Sequence, residues 1–167
     1  MKLTDFQIHS HKKLDNILIK LCEMIVEGQK KDNEYYGFVG SCILDPDNNK
    51  VYALNHYNNG YTRIHAERAA IEKYEAKHGK VPEGSICITT LSPCSTYHNK
   101  MADKREGSSC TDLLNHSNIR KVYCGYFDPI EVETEDYKHK KYHIEETQNQ
   151  KIRELCKMIE KFSTACI

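Results

Sequence analysis

The sequence has no surplus of charge, because 24 Lys and Arg residues balance 24 Asp and Glu residues and the formal net charge is zero. Proteins that hold long nucleic acids through their phosphates usually carry a basic surplus. The balance argues against such a protein, although it leaves room for a local basic patch. The hydrophobic fraction of 39% and the charged fraction of 29% indicate a globular chain.

Long apolar runs are also missing. No run is long enough for a transmembrane helix, so we expect no membrane partner. Residues 1–5 lack the apolar stretch of a signal peptide, which predicts a cytoplasmic protein. In that compartment the eight cysteines are expected to be reduced and to serve as buried hydrophobic residues or metal ligands.

Repeats and linker-like stretches are absent, and the length predicts a single domain over residues 1–167. We expect an N-terminal tail and helix in 1–31, a core in 36–127 and a C-terminal helix in 144–164, whereas 131–143 receives no assignment. The apolar periodicity predicts the order helix, strand, strand, helix, strand, helix, strand, helix. This alternation after an opening hairpin predicts an α/β fold, a three-layer α/β/α sandwich with a central mixed sheet.

Seven of the eight cysteines divide into two groups. Five lie on apolar patterns and are expected in the core: Cys22, Cys42, Cys87, Cys124 and Cys156. Cys94 and Cys110 follow a proline and a Gly-Ser-Ser turn, and each is expected, like His65, at the start of a helix. Zinc binds imidazole nitrogen and thiolate sulfur, and a catalytic zinc site uses three protein ligands. The sequence therefore predicts that His65, Cys94 and Cys110 bind Zn²⁺.

Glu67 follows His65 by two positions, so it can reach the open coordination position without binding the metal itself. A carboxylate there can take a proton from the activated water and pass it to a ring nitrogen and a leaving amine. A purely structural zinc site has no use for such a residue. Chance would produce His-Ala-Glu only about 0.03 times in a chain of this composition, so the ordered motifs are informative.

His-Ala-Glu at 65–67, Pro-Cys at 93–94 and Cys110 together resemble the signature of the zinc cytidine-deaminase superfamily. The resemblance covers about residues 36–127. It implies the cytidine deaminase-like fold, bound Zn²⁺ and hydrolytic loss of an amine from a nucleobase-type ring. Most members read Pro-Cys-x-x-Cys, whereas fifteen residues separate the two cysteines here.

The riboflavin-pathway pyrimidine deaminase domain (diaminohydroxyphosphoribosylaminopyrimidine deaminase) is the branch that widens this gap, and it is the most similar in motif. Further matches to it are Val-Gly at 39–40, Thr-Leu-Ser-Pro-Cys-Ser at 90–95 and Asp-Pro at 128–129. The branch normally has Pro-Asn-Pro before Val-Gly, where residues 35–37 read Tyr-Tyr-Gly. The Thr-Leu-Ser-Pro-Cys run is also similar to deoxycytidylate deaminases, so both branches stay open.

Five further residues are candidates for substrate binding. Asn55 and His56 end the second predicted strand, where superfamily members often place a residue that contacts sugar or ring; a plain polar strand end is the alternative. Lys100, Lys104 and Arg105 lie between the two cysteines and could bind a phosphate, with a solvated loop as the alternative. We expect a small-molecule nucleobase or nucleotide substrate and a homo-oligomer, a dimer or larger.

These patterns predict a zinc-dependent hydrolytic deaminase that acts on a pyrimidine-type nucleobase, nucleoside or nucleotide. One alternative is a deaminase of polynucleotides, transfer RNA or single-stranded DNA. The interleaved basic and aromatic residues of 137–143 favour it, and the zero net charge opposes it. The other alternative is a non-catalytic zinc-binding interaction domain, which Glu67 opposes.

Overall fold

The computed structural model describes residues 5–29, 36–58, 62–95, 108–129 and 134–165, and these residues form six strands and five helices. In chain order they are α1 (Asp5–Gln29), β1 (Tyr36–Leu44), β2 (Lys50–Asn58), β3 (Thr62–Ile64), α2 (Ala66–His78), β4 (Ile86–Leu91), α3 (Cys110–Asn115), β5 (Lys121–Tyr126), α4 (Glu135–Lys138), β6 (His143–Glu146) and α5 (Gln150–Ala165). None of the described helices is both long enough and apolar enough to span a membrane.

The six strands form one mixed sheet in the order β3-β2-β1-β4-β5-β6. β1 is antiparallel to both β2 and β4, whereas β4, β5 and β6 run parallel. Helices α1 and α5 pack on one face of this sheet, and α2 and α3 pack on the other. The predicted α/β/α sandwich with a mixed sheet is therefore confirmed.

The first core lies between the sheet and the pair α1 and α5. Leu14, Leu18 and Leu21 recur at spacings of three and four, so they form one buried stripe on α1. Cys22 on the same helix meets Cys156 of α5, with their sulfur atoms 3.7 Å apart. All five cysteines that the sequence places in the core are buried.

The second core lies on the opposite face, under α2 and α3. Ala66 and Ala70 are fully buried, and their small side chains let α2 lie close to the sheet. One turn further on, the hydroxyl of Tyr74 donates a hydrogen bond of 2.6 Å to Asp45 in the turn after β1. This bond ties α2 to the turn that follows β1.

Three elements are not among those predicted from the sequence. β3 has three residues and α4 has four, which is too short for a periodic pattern. β6 reads His-Ile-Glu-Glu and has a single apolar residue, yet it pairs with β5 at the edge of the sheet. The C-terminal helix consequently begins at Gln150, later than the predicted start at 144.

Candidate metal centre and active site

His65 lies between β3 and α2, as the N-cap residue of α2. β3 pairs with the end of β2, with Ile64 opposite His56, so a short edge strand carries the chain to the start of the helix. The backbone of His65 is extended (φ −69°, ψ 152°) and its side chain makes no cap hydrogen bond. The imidazole therefore serves no helix-capping role.

Cys94 and Cys110 meet at the N-terminus of α3. Cys94 lies in the irregular segment after β4, and Cys110 is the first residue of α3. The N–H of Cys110 donates to the Cys94 sulfur at 3.3 Å, and the N–H of Thr111 donates to the Cys94 carbonyl at 3.0 Å. The first N–H groups of a helix have no hydrogen-bond acceptor within the helix. Cys94 supplies acceptors for two of these N–H groups in α3. Cys94 therefore does not begin a helix, as the sequence predicted, and its thiol contacts the start of α3 instead.

The donor atoms of His65, Cys94 and Cys110 all lie within 4.8 Å of one another. His65 Nδ1 is 3.4 Å from the Cys94 sulfur and 3.5 Å from the Cys110 sulfur. Typical zinc–sulfur and zinc–nitrogen bonds at a tetrahedral angle place nitrogen and sulfur about 3.6 Å apart. One imidazole and two thiols at these separations fit Zn²⁺.

Glu67 reaches into this cluster from the first turn of α2 and is only 3% exposed. Its Oε2 atom lies 3.4 Å from the Cys110 sulfur, and its Oε1 atom lies 3.3 Å from the hydroxyl of Thr89. Burial is the main reason that the pKa of Glu67 lies above its ordinary value, and the nearby Cys94 adds to the effect. The carboxyl is thus placed to hold a proton inside the site.

The pKa of the Cys110 thiol lies well above its ordinary value. The largest cause is the hydrogen bond between the side chains of Cys110 and Cys94, and the second is burial. A divalent metal favours the thiolate and carboxylate forms by direct charge attraction, so metal binding releases protons here.

Thr89 is a residue of this site that sequence reasoning missed. It lies on β4, and its hydroxyl is within reach of Leu91 O at 2.9 Å as well as of Glu67. A threonine in a buried strand is common, so the local sequence carries no signal for its contact with a helix residue 22 positions away.

Of the five candidate substrate-binding residues, the structure describes Asn55 and His56. Asn55 accepts a hydrogen bond of 3.0 Å from the N–H of Val39, so its carbonyl links β2 to β1. His56 is half-buried and lines a cavity of about 340 Å³ between β2 and α2. Lys100, Lys104 and Arg105 lie outside the described residues.

The segment 134–143 supports α3 from the outside. The hydroxyl of Ser109, which caps α3, donates to Asp136 at 2.8 Å, and Thr111 shares a hydrogen bond of 3.0 Å with the Tyr142 hydroxyl. Tyr142 is buried, and the ring of Tyr137 packs against Phe127 at the end of β5. The Tyr142 ring within 137–143 is therefore not available to stack on a nucleic-acid base, which removes much of the support for a polynucleotide substrate.

Several solved structures share the fold of this chain. A diaminohydroxyphosphoribosylaminopyrimidine deaminase/5-amino-6-(5-phosphoribosylamino)uracil reductase from Thermotoga maritima is 24% identical, with a TM-score of 0.66 over 95% of this chain and 43% of that one. The chain thus spans less than half of that protein. The dCMP deaminase of cyanophage S-TIM5 is 16% identical, with a TM-score of 0.52 over 78% of this chain and 97% of the phage protein.

A third similar structure is an Aspergillus oryzae Rib2 deaminase in complex with DARIPP, 15% identical with a TM-score of 0.53 over 94% of this chain and 99% of that one. At these identities the three structures show a shared fold. No curated protein matches the chain.

The family model described as the cytidine and deoxycytidylate deaminase zinc-binding region matches residues 15–126. That span is about two thirds of the chain, and it contains His65, Glu67, Cys94 and Cys110. With a His-Cys-Cys cluster that fits Zn²⁺ and a buried carboxyl beside it, the chain belongs to the cytidine and deoxycytidylate deaminase family.

Proposed function

We propose that this protein is a hydrolytic deaminase that replaces the exocyclic amine of a pyrimidine-type nucleobase, nucleoside or nucleotide with a carbonyl oxygen and releases ammonia. The observation that carries the proposal is the position of Glu67, a buried carboxyl 3.4 Å from the Cys110 sulfur. A metal centre that only stabilised a fold would gain nothing from a buried carboxylate beside its two thiolates.

In this proposal His65, Cys94 and Cys110 hold Zn²⁺, which supplies Lewis-acid activation of water near neutral pH. Glu67 takes one proton from the water at its carboxylate and delivers it to the ring nitrogen. As the new carbon–oxygen bond becomes a carbonyl, Glu67 carries the second proton to the amine, and the carbon–nitrogen bond breaks. Burial of Glu67 supports this role because bulk water cannot compete for the proton.

Asn55 and His56 are proposed to contact the ring or sugar, and Lys100, Lys104 and Arg105 to hold a substrate phosphate. The segment with the three basic residues leaves Cys94 and returns at Cys110, so both of its ends lie at the metal cluster. We further propose that the enzyme is cytoplasmic and homo-oligomeric, and that its substrate is phosphorylated.

The test is ammonia release from a panel of cytosine, cytidine, CMP, dCMP, an aminopyrimidine ribosyl phosphate and adenosine. A pyrimidine-type compound should be deaminated, and Glu67→Gln should lower the rate of ammonia release by a factor of about 10² to 10⁴. Changing the three basic residues to Ala should raise KM for the nucleotide ten- to a hundredfold and leave the nucleoside unchanged. Release from adenosine alone would contradict the proposed substrate class, and no release from any compound would contradict the proposed reaction.

A further inference from the structure

A groove lies between α1 and the beginning of β2, with a volume of about 560 Å³. Tyr52 packs into the core under α1, so the groove opens on the face of the sheet opposite the one that carries α2 and Glu67. Its lining has five side chains from α1 and two from β2: Lys12, Lys13, Asn16, Ile17, Lys20, Lys50 and Tyr52.

The charge of this groove has one sign. Four lysines line it and no carboxylate does, and none of the four forms an ion pair with any described residue. Asp15, which lies between these lysines in the sequence of α1, accepts hydrogen bonds from Tyr123 and Thr147. In a chain of zero net charge, this concentration of unpaired ammonium groups attracts anions.

The spacing of the positive charges suits an extended anion better than a single small one. Lys12 and Lys20 are eight positions apart on one helix, which places them about 12 Å apart along its axis. Neighbouring phosphates of a nucleic-acid strand are closer together than this distance, so Lys12 and Lys20 can contact different phosphates of one strand. Lys50 faces them across the groove, about 6.6 Å along β2 from Tyr52.

Tyr52 adds an aromatic surface to the basic groove. Its ring is half-buried against the core, which holds it in place and leaves part of it accessible. Proteins that bind single strands without sequence preference combine a basic groove along the backbone with aromatic rings on which bases stack.

We propose that this groove binds single-stranded nucleic acid, with phosphates at Lys12, Lys20 and Lys50 and a base stacked on Tyr52. The site lies on the other face of the sheet from the metal cluster, so it does not depend on the proposed deamination. It also differs from the segment 137–143, whose Tyr142 is buried.

The test is the fluorescence anisotropy of a labelled 20-nucleotide oligo(dT) mixed with the intact protein. With three phosphates neutralised and their counterions released, Kd should rise about twentyfold between 50 and 200 mM salt. Replacing Lys12, Lys20 and Lys50 together with Gln should raise Kd at least tenfold. The matched control replaces Lys77, Lys80 and Lys151 with Gln, which are exposed residues outside the groove. This control makes the same change in net charge and should leave Kd within twofold.

Tyr52→Leu, checked for an unchanged melting temperature, should weaken binding at least fivefold because it removes the stacking surface. The proposal is overturned if no binding occurs at 50 mM salt, or if the two triple variants lose affinity equally. It is also overturned if Tyr52→Leu binds like the natural chain and an inorganic polyphosphate of the same length competes as well as the oligonucleotide. That last result would make the groove a general polyanion surface.

Discussion

The backbone N–H of Cys110 donates a hydrogen bond of 3.3 Å to the thiol sulfur of Cys94, sixteen positions earlier in the chain. The neighbouring N–H of Thr111 binds the carbonyl of the same cysteine at 3.0 Å. Two consecutive N–H groups at the start of α3 therefore hold Cys94 beside Cys110. The wide spacing in sequence does not separate the two thiols in space.

Cys94→Ala and Cys110→Ala should each lose bound zinc, because each removes one of the three donors of the proposed site. The melting temperature should fall as well, since metal binding contributes to the stability of the folded state. Atomic absorption on protein purified without chelator should give about one zinc per natural chain. Cys124→Ala is the control, because it removes a buried sulfur from β5 and should lower stability while the zinc stays bound. A zinc content near zero in the natural chain would contradict the site.

Glu67→Gln should keep zinc and fold but lower kcat by a factor of about 10² to 10⁴, because the amide cannot take up or deliver the proton. The side chain has nearly the same shape, so the packing around this buried position is preserved. Steady-state rates and zinc content should be measured on the same preparation. A variant that stayed fully active would show that another group transfers the proton.

Thr89→Val should lower kcat about tenfold and leave KM nearly unchanged. The substitution keeps the shape of the side chain and removes the hydroxyl that lies 3.3 Å from Glu67 Oε1. We expect Thr89 to act through Glu67, by fixing the direction of its carboxyl group. Thr89→Ser restores the hydroxyl and should restore most of the rate. Equal kinetics of Thr89→Val and the natural chain would contradict this positioning role.

Tyr74→Phe should cost about 1.5–3 kcal/mol of stability at pH 7, because it removes a hydrogen bond to the buried carboxylate of Asp45. Burial alone would raise the pKa of Asp45, but hydrogen bonds from Tyr74 and Asn49 outweigh it and hold the pKa below its ordinary value. A carboxylate with a lowered pKa in the folded state stabilises the protein above about pH 4, and this contribution is lost as the pH falls further.

Urea unfolding at pH 7 and pH 3 should therefore show the penalty of Tyr74→Phe shrinking at the lower pH. Tyr142→Phe is the matched control, because it removes a bond between two neutral hydroxyls, those of Thr111 and Tyr142. Its cost of about 1 kcal/mol should be the same at both pH values. A Tyr74→Phe penalty that did not change with pH would contradict the role of Tyr74 in lowering the pKa of Asp45.

Features that depend on near neighbours could be predicted from the sequence. The spacing of Leu14, Leu18 and Leu21 is enough to predict a helix, because side chains three and four positions apart share one face. His65 and Glu67 are two positions apart at the start of a helix. A metal ligand and a proton-transferring carboxylate in one site could therefore be proposed without knowledge of the rest of the fold. The order of strands and helices led in the same way to the α/β/α sandwich.

Which distant groups come into contact depends on the tertiary structure. The contact between Glu67 and Thr89 joins a helix to a strand, and it depends on how α2 lies on the sheet. The bond between Ser109 and Asp136 comes from a segment whose own pattern predicts neither a helix nor a strand. β6 forms because β5 offers it an unpaired edge, and one apolar residue in four gives no periodic signal. Contacts of this kind depend on packing and register across many positions, and a local pattern of side chains does not contain that information.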